Sequence, residues 1–99
     1  MKLIITFLDG EKLELCDSSI INGYINIEQP DKEFKLEKVF STSFDAGYTN
    51  EASLVATKTP QLGYASLINE VEWISVGSNT DFSTFYKTTS IKSISRKLL

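Results

Sequence analysis

The chain has 99 residues, 41% hydrophobic and 23% charged, with 10 lysines and arginines against 13 acidic residues and a formal net charge of −3. That length and balance suit one domain with a modest core and exclude a disordered polymer, and no apolar run approaches the roughly 18 residues of a membrane helix. Histidine is absent and Cys16 is the single cysteine, which removes Ser-His and Cys-His nucleophiles, His-ligated metal sites and any internal disulfide together.

The opening "MKLIITFLDG" carries an apolar run that stops at Asp9, short of a secretory core, so the expected address is the cytoplasm. Asp9-Gly10 between two alternating runs marks a hairpin. Side-chain parity selects its loop. Three loop residues, with Gly10 left-handed, gather Leu3, Ile5, Phe7, Leu13 and Leu15 on one face and leave Ile4, Thr6, Lys12 and Glu14 on the other. A two-residue loop would mix the sets. Ile21, Ile25 and Ile27, then Phe34 and Leu36, alternate on either side of Gln29-Pro30-Asp31-Lys32, which reads as a second hairpin. Asn22-Gly23 within it is either a tight turn or a glycine bulge.

Ser41 to Glu51 lacks periodicity and reads as a loop, with Phe44 and Tyr48 its large side chains. Ser53 to Thr57 is expected to be a strand and "TPQLG" a turn. Leu67, Val71 and Ile74 fit a helical stripe, yet β-branched and aromatic residues crowd "VEWISV" with no capping signal before them, so a strand is preferred over 64–74. Gly77 to Thr80 is a turn, and "DFSTFYK" the strand after it. Ile91, Ile94 and Leu98 have helical spacing, so a short terminal helix or turn is expected despite its serines and threonines. The whole predicts a mainly β domain, 1–99: a small antiparallel barrel or two-layer sandwich of six or seven short strands with that C-terminal helix.

Two surfaces emerge as candidates. Tyr24, Tyr48, Tyr64, Tyr86 and Trp73 are more polar-tipped rings than one small core hides, and such rings dominate protein interfaces. Phe44, Tyr48, Trp73 and Tyr86 are the partner-binding candidates. The alternative is single-stranded nucleic acid held by the terminal stretch, with Phe85 for stacking and Lys87, Lys92, Arg96 and Lys97 for phosphates. The acidic balance argues against it, because half the cations precede Glu51 among most of the carboxylates and the terminal ones serve to offset them. Glu70 and Glu72 read as charges on a solvated strand face, and Cys16 has acidic neighbours in Glu14 and Asp17, unlike a reactive thiol. No catalytic, metal or cofactor residue is assigned.

The stretches "ITFLDGEKLEL" and "FYKTTSIKSI" resemble short, β-rich, lysine- and isoleucine-rich accessory proteins of phages and mobile elements of low-GC bacteria. The resemblance implies an inhibitor of host defence, anti-CRISPR proteins among them, or a small virion component, and it carries over no residue. Such inhibitors bind and block without catalysis. The expected function is therefore a non-enzymatic protein-binding module that blocks or sequesters a host or phage protein, with a homodimer as a further way to cover its rings.

Overall fold

The computed structural model describes residues 2–28, 35–45, 59–78 and 83–97. Strands β1 (Lys2–Phe7) and β2 (Lys12–Cys16) form the first hairpin, with Leu3 opposite Leu15 and Ile5 opposite Leu13. The loop is the three-residue one that parity selects. Gly10 has φ +90°, its amide donates to the Phe7 carbonyl (2.9 Å), and the Asp9 carboxylate accepts from the Glu11 amide (2.9 Å).

β3 (Ile21–Asn26) pairs antiparallel with β4 (Leu36–Thr42), and the pairing runs on to the Ile27 amide and the Lys35 carbonyl (2.8 Å). The Gln29–Lys32 turn lies outside the described residues. Asn22-Gly23 is no turn: both residues sit inside β3, and the register shifts there because Val39 of β4 bulges out unpaired. Gly23 faces the ring of Phe40, and a Cβ at this position would fall into the ring edge.

The segment after it departs from expectation. "TPQLG" opens helix α1 (Pro60–Asn69), and strand β5 covers only Trp73–Val76. Proline at the first helical position lacks only an amide the helix would leave unpaired. The buried face is Pro60, Gly63, Tyr64 and Ile68, with Leu67 partly buried, a helical stripe in which two of the members are not recognisably apolar. The expected strand at Ser53–Thr57 lies outside the described residues.

β6 is only Tyr86–Lys87, paired with β5, and a 3₁₀ turn at Thr88–Ser90 leads into β7 (Ile91–Lys97). The Thr88 hydroxyl donates to the Val71 carbonyl (2.8 Å), which ties that turn to the entry of β5. β7 overturns the expected terminal helix. It pairs antiparallel with β1, Ile91 opposite Phe7 and Ile94 opposite Ile5, and Lys92 is an extra residue bulged from the ladder. A bulge adds one residue to the strand's two-residue period, so a three-residue spacing sets both isoleucines on one face. Leu98 lies outside the described residues.

Two sheets result, ordered β2-β1-β7 and β4-β3-β5-β6, all antiparallel and not closed on each other. The arrangement is a sandwich and not a barrel. Leu3, Ile5, Phe7 and Leu15 from one sheet meet Ile21 and Ile74 from the other, with Tyr64 and Ile68 of α1 and the following Val71 completing the core.

Candidate protein interface

Register places every side chain of the four-stranded sheet. Phe40, Gly23, Ile74 and Tyr86 stand opposite one another across β4, β3, β5 and β6, and Phe40, Ile74 and Tyr86 pack with the core. The adjacent row is Lys38, Tyr24, Trp73 and Lys87. Neighbouring positions along a strand point to opposite faces, so this second row looks away from the core. None of its members joins the core cluster.

The row is held in place from the side. Asn22 and Ser75, both buried, share this outer face; the Asn22 amide donates to Ser75 Oγ (3.2 Å) and to the Gly77 carbonyl (2.8 Å), and the Tyr24 hydroxyl lies 3.0 Å from Ser75 Oγ. Satisfied buried polar groups fix orientation, because any displacement leaves one unpaired. Above Tyr24 sits Phe85, ring centroids 4.9 Å apart and tilted by 47°. Lys87 Nζ lies 5.0 Å from the Trp73 ring centroid, a cation–π contact that keeps the lysine stem on the indole.

Phe85 is 38% exposed, Trp73 and Lys87 are half-buried and Lys38 is exposed. Beside them, the tip of the first hairpin contributes Leu8, 68% exposed, whose amide is fixed to the Ser90 carbonyl (2.8 Å). A cleft of about 350 Å³ runs between Leu8, Phe85 and Lys87, with Asp9 and Glu11 on its rim. Exposed apolar side chains adjoining a half-open tryptophan make a patch suited to contact with another macromolecule.

The candidates sort accordingly. Trp73, Phe85 and Lys87 come together on this face. Tyr86 points the other way and stacks on Phe7, centroids 4.9 Å apart at 18°, and it is half-buried where it lines the cleft beside Phe85 and Lys87. Phe44 is half-buried beyond the end of β4, at the opposite edge of the sheet, and Tyr48 lies outside the described residues. Lys92, Arg96 and Lys97 sit on β7 of the other sheet, all exposed. They do not form one groove with Phe85 and Lys87. β7 is the outer strand of its sheet among the described residues, and cations together with a bulge are what discourage an edge from pairing with another chain.

Two of the tyrosines counted as surplus are in fact buried. Tyr24 is 7% exposed and Tyr64 1%. Burial pushes the Tyr64 hydroxyl up to about 12, the Asp17 charge adding to this and a hydrogen bond from the Phe44 backbone opposing it. Lys38, Leu8, Asn22 and Ser75 escaped sequence reasoning, since only the strand register brings them to the site.

Glu70 ends α1 while the Glu72 carboxylate accepts from the Asn26 amide (3.2 Å), so the two do not share a strand face. Among the described residues no group of three His, Cys, Asp or Glu side chains is placed to hold a metal ion, and no helix is long and apolar enough to cross a membrane. Cys16 departs from expectation. Its exposed thiol is lowered to about 7, chiefly by the Ser18 hydroxyl (3.3 Å) and then by that of Ser19 (3.2 Å), which can donate to the thiolate. Alkylation by iodoacetamide should therefore reach half its limiting rate near pH 7, and Ser18→Ala/Ser19→Ala should move that midpoint toward the ordinary 9.0. An unchanged midpoint would contradict the hydroxyls as its cause. Compared with known protein families, characterised proteins and solved structures, the chain matches none.

Proposed function

We propose that this chain is a non-enzymatic protein-binding module that occludes or sequesters a partner through the outer face of its four-stranded sheet. The observation that carries this reading is the Lys38–Tyr24–Trp73–Lys87 row, capped by exposed Phe85 and braced by buried Asn22 and Ser75. Rigid aromatic anchors with basic flanks on a fixed sheet supply contact area at little entropic cost. The setting implied by the resemblance is a cytoplasmic host protein whose activity is blocked by occupancy alone.

Single-stranded nucleic acid is the weaker reading for this face. Phe85 is open enough to stack, but of the cations assigned to phosphates only Lys87 stands near it, and Lys92, Arg96 and Lys97 belong to the other sheet. The test is affinity capture from the cell of origin with the native chain and with Trp73→Ala/Phe85→Ala, followed by calorimetry on the protein recovered. Trp73→Ala alone should weaken binding about tenfold, as expected for a partly buried aromatic anchor. Unchanged affinity in the double variant would remove this face from the function.

A further inference from the structure

The outer row has a charge pattern as well as an aromatic one, and it narrows the chemistry of the occupant. Its two ends are lysines, one on each edge strand, and its middle is Tyr24 and Trp73 on the central strands. Three inter-strand spacings separate Lys38 from Lys87, roughly 14 Å. An extended chain advances roughly 13 Å over four residues and shows positions i, i+2 and i+4 on one side. We propose that the partner segment seated on this face is extended and acidic, with carboxylates at i and i+4 meeting Lys38 and Lys87 and an apolar side chain at i+2 meeting Trp73 and Phe85. This inference rests on the interface reading above.

The row's own ends set that sign. The protein carries −3 overall, and Lys38 and Lys87 give this face a local positive charge, as Lys92, Arg96 and Lys97 do on β7; Asp9 and Glu11 stand at the cleft beside Lys87 and confine that charge to the row. Glu72, the acidic residue next to Trp73 in the chain, has its carboxylate engaged by the Asn26 amide. Lys87 rests on the indole without an acidic partner among its described contacts. A second copy of the chain fits poorly, since a two-fold arrangement of the row would set the lysine at each end against another lysine.

Trp73 is the single tryptophan, so its emission reports directly on the middle of the row. The probes are blocked nine-residue peptides with leucine at the centre and, two residues to either side, glutamate, glutamine or lysine, together with oligo(dT). At low salt the glutamate peptide should bind about tenfold more tightly than the glutamine one, the yield of two exposed ion pairs. Lys38→Glu/Lys87→Gln should abolish that preference, and Lys38→Glu alone should reduce it; Lys97→Glu, which makes the same charge change as the latter on β7, should retain it. Circular dichroism checks that each variant is folded. Equal binding of the glutamate and glutamine peptides would overturn the acidic assignment while leaving the interface reading intact. A tighter response to oligo(dT) would overturn it in favour of nucleic acid. Emission unmoved by every probe would also sink it, whereas the interface reading is decided separately by the capture comparison.

Discussion

Gly23→Val is expected to destabilise the fold by about 3 kcal/mol, the upper end of the usual range for overpacking. Gly23 stands between Phe40 on β4 and Ile74 on β5, and a Cβ there meets three atoms of the Phe40 ring edge. Phe40 packs against the core, so its ring gives way only by losing contacts of its own. The ordinary benefit of replacing a strand glycine, about 0.5–1 kcal/mol, is outweighed. Gly23→Ala should fall between the two, and Phe40→Leu should make either substitution cheaper. Urea denaturation of the parent, Phe40→Leu, each Gly23 variant and each double variant gives the coupling. A Gly23→Ala protein as stable as the parent would refute the close approach.

Deleting Lys92 and Ser93 together is expected to cost about 2 kcal/mol, whereas deleting Lys92 alone should cost less than about 1 kcal/mol. With Lys92 removed, Ile91 remains opposite Phe7, Ser93 opposite Thr6 and Ile94 opposite Ile5, now in a regular ladder. With both residues removed, Ile91 and Ile94 become neighbours and point to opposite faces, so one of them leaves the core. The unusual outcome is the tolerated single deletion. Thermal or urea unfolding of the two deletants checks it, and equal losses would mean that the extra residue has a structural duty of its own.

How far the fold could be read from the residues depended on whether local pattern and tertiary pairing agreed. In the first hairpin they did: Asp9-Gly10 and the parity of five apolar residues admitted one register, and that register forms. In β3 and β4 the alternation was legible but the bulge at Val39 was not, because nothing local distinguishes it. α1 was hidden because proline and glycine occupy its buried stripe and no side chain caps it. β7 was misread for the opposite reason, a spacing that looked helical until the bulge at Lys92 accounted for it.

The site was legible in its ingredients and not in its assembly. Trp73, Phe85 and Lys87 could be singled out by type, but which of the adjacent Phe85 and Tyr86 faces outward depends on one residue of parity. That parity is set by pairing of Ile74 with Tyr86, a contact no local signal announces. Lys38 reaches the row only because Val39 is skipped. The terminal cations, conspicuous in the sequence, proved to belong to an edge strand of the other sheet.

The pairing of β1 with β7 also governs how the molecule comes into being. β2 follows β1 after a three-residue loop and can zip to it at once, whereas the other side of β1 waits for β7, which is made after every other described strand. The seam along β1 thus stays unsealed while every strand between β2 and β7 is made, and a cationic strand is the one that shuts it.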